Sequence, residues 1–234
     1  MKNYITKLLT KNKISSNYSE IVKNNQCSEL EIDKWRLSEF IVDTIVPKVG
    51  FEPYPLDEIF LMCSAVLLFK PTHIFEWGTH LGRSARIFHE INSRFNVNAE
   101  IHSFDLPDDV SHVEHPGNNR AIFLKNIDSV FLYQEDGLVK SPTIFNTSTI
   151  ENKRALFYLD GDHSYKTVEN ELRTINENID NPIFLLHDTF FQSKDSKYNT
   201  GPYDALNDFI LLNPSYVVVN TNFGLPGMSL VYKK

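Results

Sequence analysis

Between Pro71 and Asp188 the chain carries five short apolar runs, "HIFEW", "IHSFDL", "VFLYQ", "ALFYLD" and "IFLLHD", separated by polar or helix-forming stretches. Runs of this length, rich in β-branched and aromatic residues, suit strands buried on both faces, with crossover connections between them. "SARIFHEINSRF" puts Ile87, Phe88, Ile91 and Phe95 on one helical face, and Val168, Leu172, Ile175 and Ile179 mark a helix between the fourth and fifth runs. The rhythm predicts an α/β chain whose doubly wound, mostly parallel sheet is covered by helices on both sides. The closing stretch "YVVVNTNFGLPGMSLVY" reads as two strands joined by a Gly and Pro turn, an antiparallel pair that brings the sheet to seven strands.

Ahead of the alternating part, "PLDEIFLMCSAVLLFK" predicts a buried helix. "SELEIDKWRLSEFIVDTIV" predicts another, with Leu30, Trp35, Leu37, Phe40, Ile41 and Ile45 near helical spacing and Pro47 as its end. Residues 1–49 are therefore expected to form a helical extension to a domain over 50–234, with an Asn- and Lys-rich tail or loose helix in the first 25 residues.

With 234 residues, 41% of them hydrophobic and 12% aromatic, the chain can bury a sizeable core. A formal charge of −7 with no block of Lys and Arg argues against nucleic acid and points to a small-molecule or metal partner. Cys27 and Cys63 form no CxxC pair, which suits a reducing, cytoplasmic setting. The basic N-terminus lacks the apolar core of a signal peptide, and "IFLMCSAVLLF" is too short to span a bilayer, so no membrane association is expected.

Two groups of residues carry chemistry. In "IFEWGTHLGRS", Gly78 and Gly82 lie in the turn after the first run, where a ligand can approach the backbone and helix amides point outward. Glu76 precedes them, and Asp105 ends the next run, where a carboxylate can hold both hydroxyls of a ribose. The spacing ExGxxxG departs from the GxGxxG of a dinucleotide site. In the second group, a right-handed crossover between the fourth and fifth runs makes them parallel neighbours roughly 4.8 Å apart. Asp160 and Asp188 then end at one sheet edge, close enough to share a divalent cation, and carboxylate oxygens suit Mg²⁺. The bland alternative is a turn in which Asp162 or Ser164 merely caps the helix opening near Tyr165.

On these residues the chain resembles the class I S-adenosylmethionine-dependent methyltransferases over about residues 50–234. The resemblance implies that Gly78, Thr79, Gly82, Ser84 and Asp160 line the cofactor, with Glu76 beneath the glycines, Asp105 on the ribose and Asp136 of "YQEDG" toward adenine. "DGDHSY" followed by "HDTF" is similar to the metal-dependent macrocin and novobiocin-type sugar O-methyltransferases. That branch implies Asp160 and Asp188 as metal ligands and Asp162 as base, while the chemistry of an imidazole lets the neighbouring His163 accept the proton instead. His187 stands where that branch has an acid, which admits Mn²⁺, Fe²⁺ or no metal beside Mg²⁺. The activity implied is transfer of a methyl group from S-adenosylmethionine to a hydroxyl of a small molecule, a sugar or glycosylated metabolite, assisted by a divalent metal. The competing readings are a non-catalytic cofactor-binding protein of the same fold and, third, an NAD-dependent enzyme.

The connections at 107–120 and 189–208 are candidate lids. The former carries His112 and His115, read as solvated, and the latter Phe190, Phe191, Tyr198 and Tyr203, able to stack on a substrate or to pack the loop. The N-terminal helices are candidates for a homo-oligomer surface or a substrate cover.

Overall fold

The computed structural model describes residues 21–23 and 30–234, except 111, 113, 114, 194 and 197. Cys27 and most of the Asn- and Lys-rich stretch lie outside the described residues. A short antiparallel pair, β1 (Ile21–Lys23) with β2 (Leu30–Ile32), precedes helix α1 (Lys34–Phe40), a π-helical turn (Ile41–Ile45) and α2 (Val46–Val49). Helix α3 (Leu56–Phe69) follows, and then the alternating part begins: β3 (His73–Trp77), α4 (Arg83–Arg94), β4 (Glu100–Phe104), β5 (Val130–Tyr133) and α5 (Gly137–Thr147). The chain continues through β6 (Ala155–Leu159), α6 (Tyr165–Asn178), β7 (Ile183–His187), α7 (Gly201–Leu212), β8 (Tyr216–Asn220) and β9 (Met228–Lys233).

The main sheet has seven strands in the order β5-β4-β3-β6-β7-β9-β8. Every pairing from β5 to β7 is parallel, whereas β9 runs antiparallel to both β7 and β8, as expected from the sequence. Period-two alternation divides the side chains between two cores. Ile74, Ile101, Leu156, Tyr158 and Leu185 face α3, α4 and the N-terminal helices, while Phe75, Trp77, Phe157, Leu159 and Leu186 face α5, α6 and α7. On the second face Phe75 stacks on Phe157 at 5.2 Å, and Phe157 lies 6.2 Å from Phe184.

Three expectations need correction. Leu30 lies in a strand, and the first helix starts only after Asp33, whose side chain accepts from the Arg36 N–H. Pro47 does not end this helical passage. The N–H of Val46 bonds Ile41 O, an i→i−5 step, and this widened turn carries the chain past a ring that would clash with the carbonyl one α-turn earlier. Trp35 is 79% exposed because Leu37, Phe40, Ile41 and Ile45 already fill the inward face. Those four pack in one core with Met62, Ile87 and Phe88, so residues 34–49 form a layer of the main body. Between β4 and β5 the only helical segments among the described residues are 3-10 turns, at Gly117–Asn119 and Ile122–Leu124. Among the described residues no helix is long and apolar enough to cross a membrane.

Candidate functional site

Both residue groups meet along the carboxyl edge of the parallel strands, around a cavity of about 850 Å³ lined by residues that include Tyr54, Trp77, Gly78, Ser84, Asp105, Asp136, Asp160, His163, Glu171 and Asp188. This is where open α/β sheets place ligands, and the volume lies in the range of small-molecule sites.

The glycine turn is required by close approach. Gly78 has φ +98°, and a Cβ there would lie 2.2 Å from the carbonyl oxygen of Asp160, so no other residue fits between β3 and the loop after β6. Gly82 caps α4 at φ +81°. Beneath the turn Glu76 is fully buried. Ser103 Oγ donates to its Oε2, and Thr79 Oγ1 contacts Ser103 Oγ at 2.6 Å. Burial pushes the Glu76 carboxyl up to about 7, against the opposing hydrogen bonds of Ser103 and Ser84. Asp105 follows β4 and accepts from the N–H groups of His80 at 3.0 Å and Leu106 at 2.9 Å, with Arg120 Nε at 3.2 Å. A carboxylate has about four acceptor sites, so room remains for ribose hydroxyls. Asp136 is exposed and caps α5, accepting from Leu138 N–H at 2.8 Å.

The acidic group is tighter. Asp160 directly follows β6 and His187 ends the adjacent strand β7, and Asp188 follows in the left-handed region at φ +58°. His187 Nδ1 lies 3.0 Å from Asp160 Oδ1 and 3.6 Å from Asp188 Oδ1, while its Nε2 lies 3.2 Å from Glu58 Oε2. Asp160 Oδ2 accepts from the hydroxyls of Tyr54 at 2.8 Å and Tyr158 at 3.0 Å. Asp188 accepts from Tyr198 Oη at 2.8 Å and Asn199 Nδ2 at 2.6 Å, and its Oδ2 lies 3.1 Å from His163 Nδ1. Burial pulls the His187 imidazole down, but Asp160, Glu58 and Asp188 outweigh it and hold the ring well above its usual range. Burial pushes the Asp160 carboxyl up, and His187, His163 and Tyr54 together bring it below the usual carboxylate range.

Asp160, His187 and Asp188 can each offer a ligand atom within 4.8 Å of one another. The ring also has the second contact typical of a ligating histidine: its far nitrogen rests on Glu58, whose other oxygen accepts from Gly227 N–H at 2.8 Å. The donor set therefore fits a divalent cation, and one imidazole among carboxylates broadens the choice beyond Mg²⁺.

Asp162 and His163 differ in setting. Asp162 is exposed, and its oxygens accept from Ser164 N–H at 2.7 Å and Thr167 Oγ1 at 3.1 Å, which secures the opening of α6. Burial would raise this carboxyl, yet the hydrogen bonds from Ser164 and Thr167 and the nearby His163 hold it below its usual range. His163 has Nδ1 on Asp188 and lines the cavity. In the 107–120 loop, His115 belongs to the loop's own bonding, with Nε2 2.8 Å from Arg120 Nη2 and Nδ1 accepting from Gly117 N–H at 3.0 Å. Phe191 packs edge-on against Tyr203 at 5.2 Å.

Sequence reasoning did not single out Tyr54, Glu58, Tyr158, Glu171 or Asn199. Two were visible as anomalies: Glu58 inside an apolar helix, and Glu171 on the face shared by Val168 and Leu172.

No protein-family model matches the sequence, and no curated protein sequence matches it. Solved structures do share the fold. The SAH-bound methyltransferase PaMTH1 of Podospora anserina is 17% identical, with a TM-score of 0.54 over 93% of this chain and 100% of that one. The calicheamicin methyltransferase CalS11 is 16% identical at TM-score 0.54, covering 97% and 90%. An O-methyltransferase from Bacillus cereus in complex with SAH is 11% identical at TM-score 0.52, covering 85% and 91%. At such identities the likeness establishes the fold: an α/β, Rossmann-like methyltransferase architecture.

Proposed function

We propose that this chain is an S-adenosylmethionine-dependent O-methyltransferase acting on a hydroxyl of a small molecule, a sugar or glycosylated metabolite, with a divalent cation held by Asp160, His187 and Asp188. The observation that carries the reading is the single cavity in which the Gly78 turn and Asp105 face the Asp160–His187–Asp188 cluster. The polar character of an adjoining cleft of about 500 Å³, which shares Asp162, His163, Tyr198 and Asn199 with the main cavity, supports a sugar acceptor. So does the presence among the similar structures of CalS11, described as a TDP-rhamnose 3'-O-methyltransferase.

When bound, the cofactor supplies an electrophilic methyl carbon, and the cation supplies a Lewis acid that lowers the acceptor hydroxyl's pKa. Gly78 and Gly82 leave the backbone open to the cofactor, and Asp105 accepts from its ribose. Displacement at a methyl carbon demands alignment and a deprotonated nucleophile. His163 meets the second demand. With Nδ1 directed at Asp188, its Nε2 is the atom that takes the hydroxyl proton, as in other carboxylate-oriented histidine bases. Asp162, engaged at both oxygens by the α6 opening, fixes the backbone that carries His163.

Calorimetric titration with S-adenosylhomocysteine, with and without EDTA, tests the reading, followed by methyl transfer to a panel of nucleotide sugars, free sugars and phenols. Micromolar binding and a methylated product that EDTA suppresses are expected. Absence of cofactor binding ends the proposal, and turnover indifferent to EDTA removes the cation from it.

A further inference from the structure

Glu171 takes no part in either residue group of the site. It lies on α6 between the buried Val168 and Leu172, is only 9% exposed, and lines the main cavity with Trp77, Gly137 and Gly161. Among the described residues no hydrogen bond or ion pair reaches its carboxyl; the charges it senses are those of Asp162 and Asp136. A buried polar group with no partner is costly, and native chains retain one where a ligand completes it.

Its position says which part of the ligand that is. On the proposed function Asp105 and the Gly78 turn serve the ribose and methionine, and the Asp160 cluster serves the acceptor side; all of them line the same cavity as Glu171. Elsewhere in the lining Trp77 lies against Gly137 and Gly161, and the carboxylates of Asp136 and Asp162 act on Glu171, so the charge around this stretch of wall is acidic. Such a lining repels a phosphate or carboxylate and suits a flat base with an exocyclic amino group.

Resting on the cofactor assignment above, we propose that Glu171 reads the base of the adenosyl group, its carboxyl pairing with the N6 amino group of adenine and with the ring nitrogen beside it. The neutral carboxyl has one acceptor and one donor on adjacent atoms, the complement of that edge. Burial, aided by Asp162 and Asp136, pushes the group up to about 8, so the neutral form prevails at neutral pH. Glutamine keeps the same donor and acceptor pair, whereas leucine has neither.

The test is calorimetric binding of S-adenosylhomocysteine and of its analogue whose base is purine, lacking the amino group, to the wild type, Glu171→Gln and Glu171→Leu, with circular dichroism to confirm folding. The wild type is expected to prefer the adenine ligand by about 10-fold or more. Glu171→Leu should lose about 10- to 100-fold in adenine-ligand affinity and bind the two alike, and Glu171→Gln should stay within about threefold of wild type. If the wild type binds both ligands equally, if Glu171→Leu matches it, or if Glu171→Gln loses as much as Glu171→Leu, the carboxyl does not touch the base, and this inference falls while the cofactor assignment stands. If the wild type binds neither ligand, both fall. Should the leucine variant not fold, the wild-type preference and the glutamine variant decide.

Discussion

Replacing Glu171 by glutamine should stabilise the fold, and the gain should depend on pH in a calculable way. Burial raises the Glu171 carboxyl from its ordinary 4.5 to about 8. Between those values the folded chain keeps a proton that the unfolded chain has released, so wild-type stability falls as pH rises through this window and levels off above it. A difference of this size amounts to at most about 5 kcal/mol. Glutamine preserves the shape and does not titrate. The variant should therefore match the wild type near pH 4.5 and exceed it by up to about 5 kcal/mol at pH 8, a shift of about 2 M in the urea midpoint for a slope of about 2.5 kcal/mol/M. Urea unfolding followed by tryptophan fluorescence and circular dichroism, at several values from pH 5 to pH 8.5, measures this. Two curves that stay parallel across the whole window would refute the claim that an unpartnered acid is buried there.

Gly78→Ala sets a Cβ against the Asp160 carbonyl in a left-handed conformation, and should lower stability by about 2 kcal/mol or more and abolish S-adenosylhomocysteine binding, read by thermal unfolding and calorimetry. His163→Ala should reduce kcat by about 10²- to 10⁴-fold on any acceptor the wild type methylates, with S-adenosylhomocysteine affinity unchanged; a comparable loss in affinity would contradict its assignment as base. Glu58→Leu removes the partner of His187 Nε2, and Mn²⁺ affinity by calorimetry should fall about 10- to 100-fold. Asp160→Asn should abolish turnover while leaving the circular dichroism spectrum intact, and persistent methyl transfer would count against the ligand set.

The sheet was legible because its information is local: five apolar runs, helical faces between them, and a Gly and Pro turn before β9. The meeting of Asp160 with Asp188 was legible too, since a single helix joins β6 to β7 and consecutive strands so joined are usually parallel neighbours. What the sequence could not convey is contact between layers. Tyr54 and Glu58 reach His187 and Asp160 only because α3 packs across the sheet, and nothing in their spacing from "DGDHSY" announces it. Pro47 misled for a related reason: a single π-turn absorbs the missing amide, and such turns leave little trace in hydrophobic periodicity. Asp162 shows the limit of motif reading, because a carboxylate in a catalytic-looking triplet also satisfies the first turn of a helix.

The contacts from Tyr54 to Asp160 and from Glu58 to His187 mean that the Asp160–His187–Asp188 cluster is closed from the front of the chain as well as from the strand ends. A shortened protein beginning at β3 would keep every acid of "DGDHSY" and "HDTF" yet deprive Asp160 of the Tyr54 hydroxyl and His187 Nε2 of the Glu58 carboxylate. Grafting this cluster onto another α/β sheet would thus require carrying the preceding helix along with it.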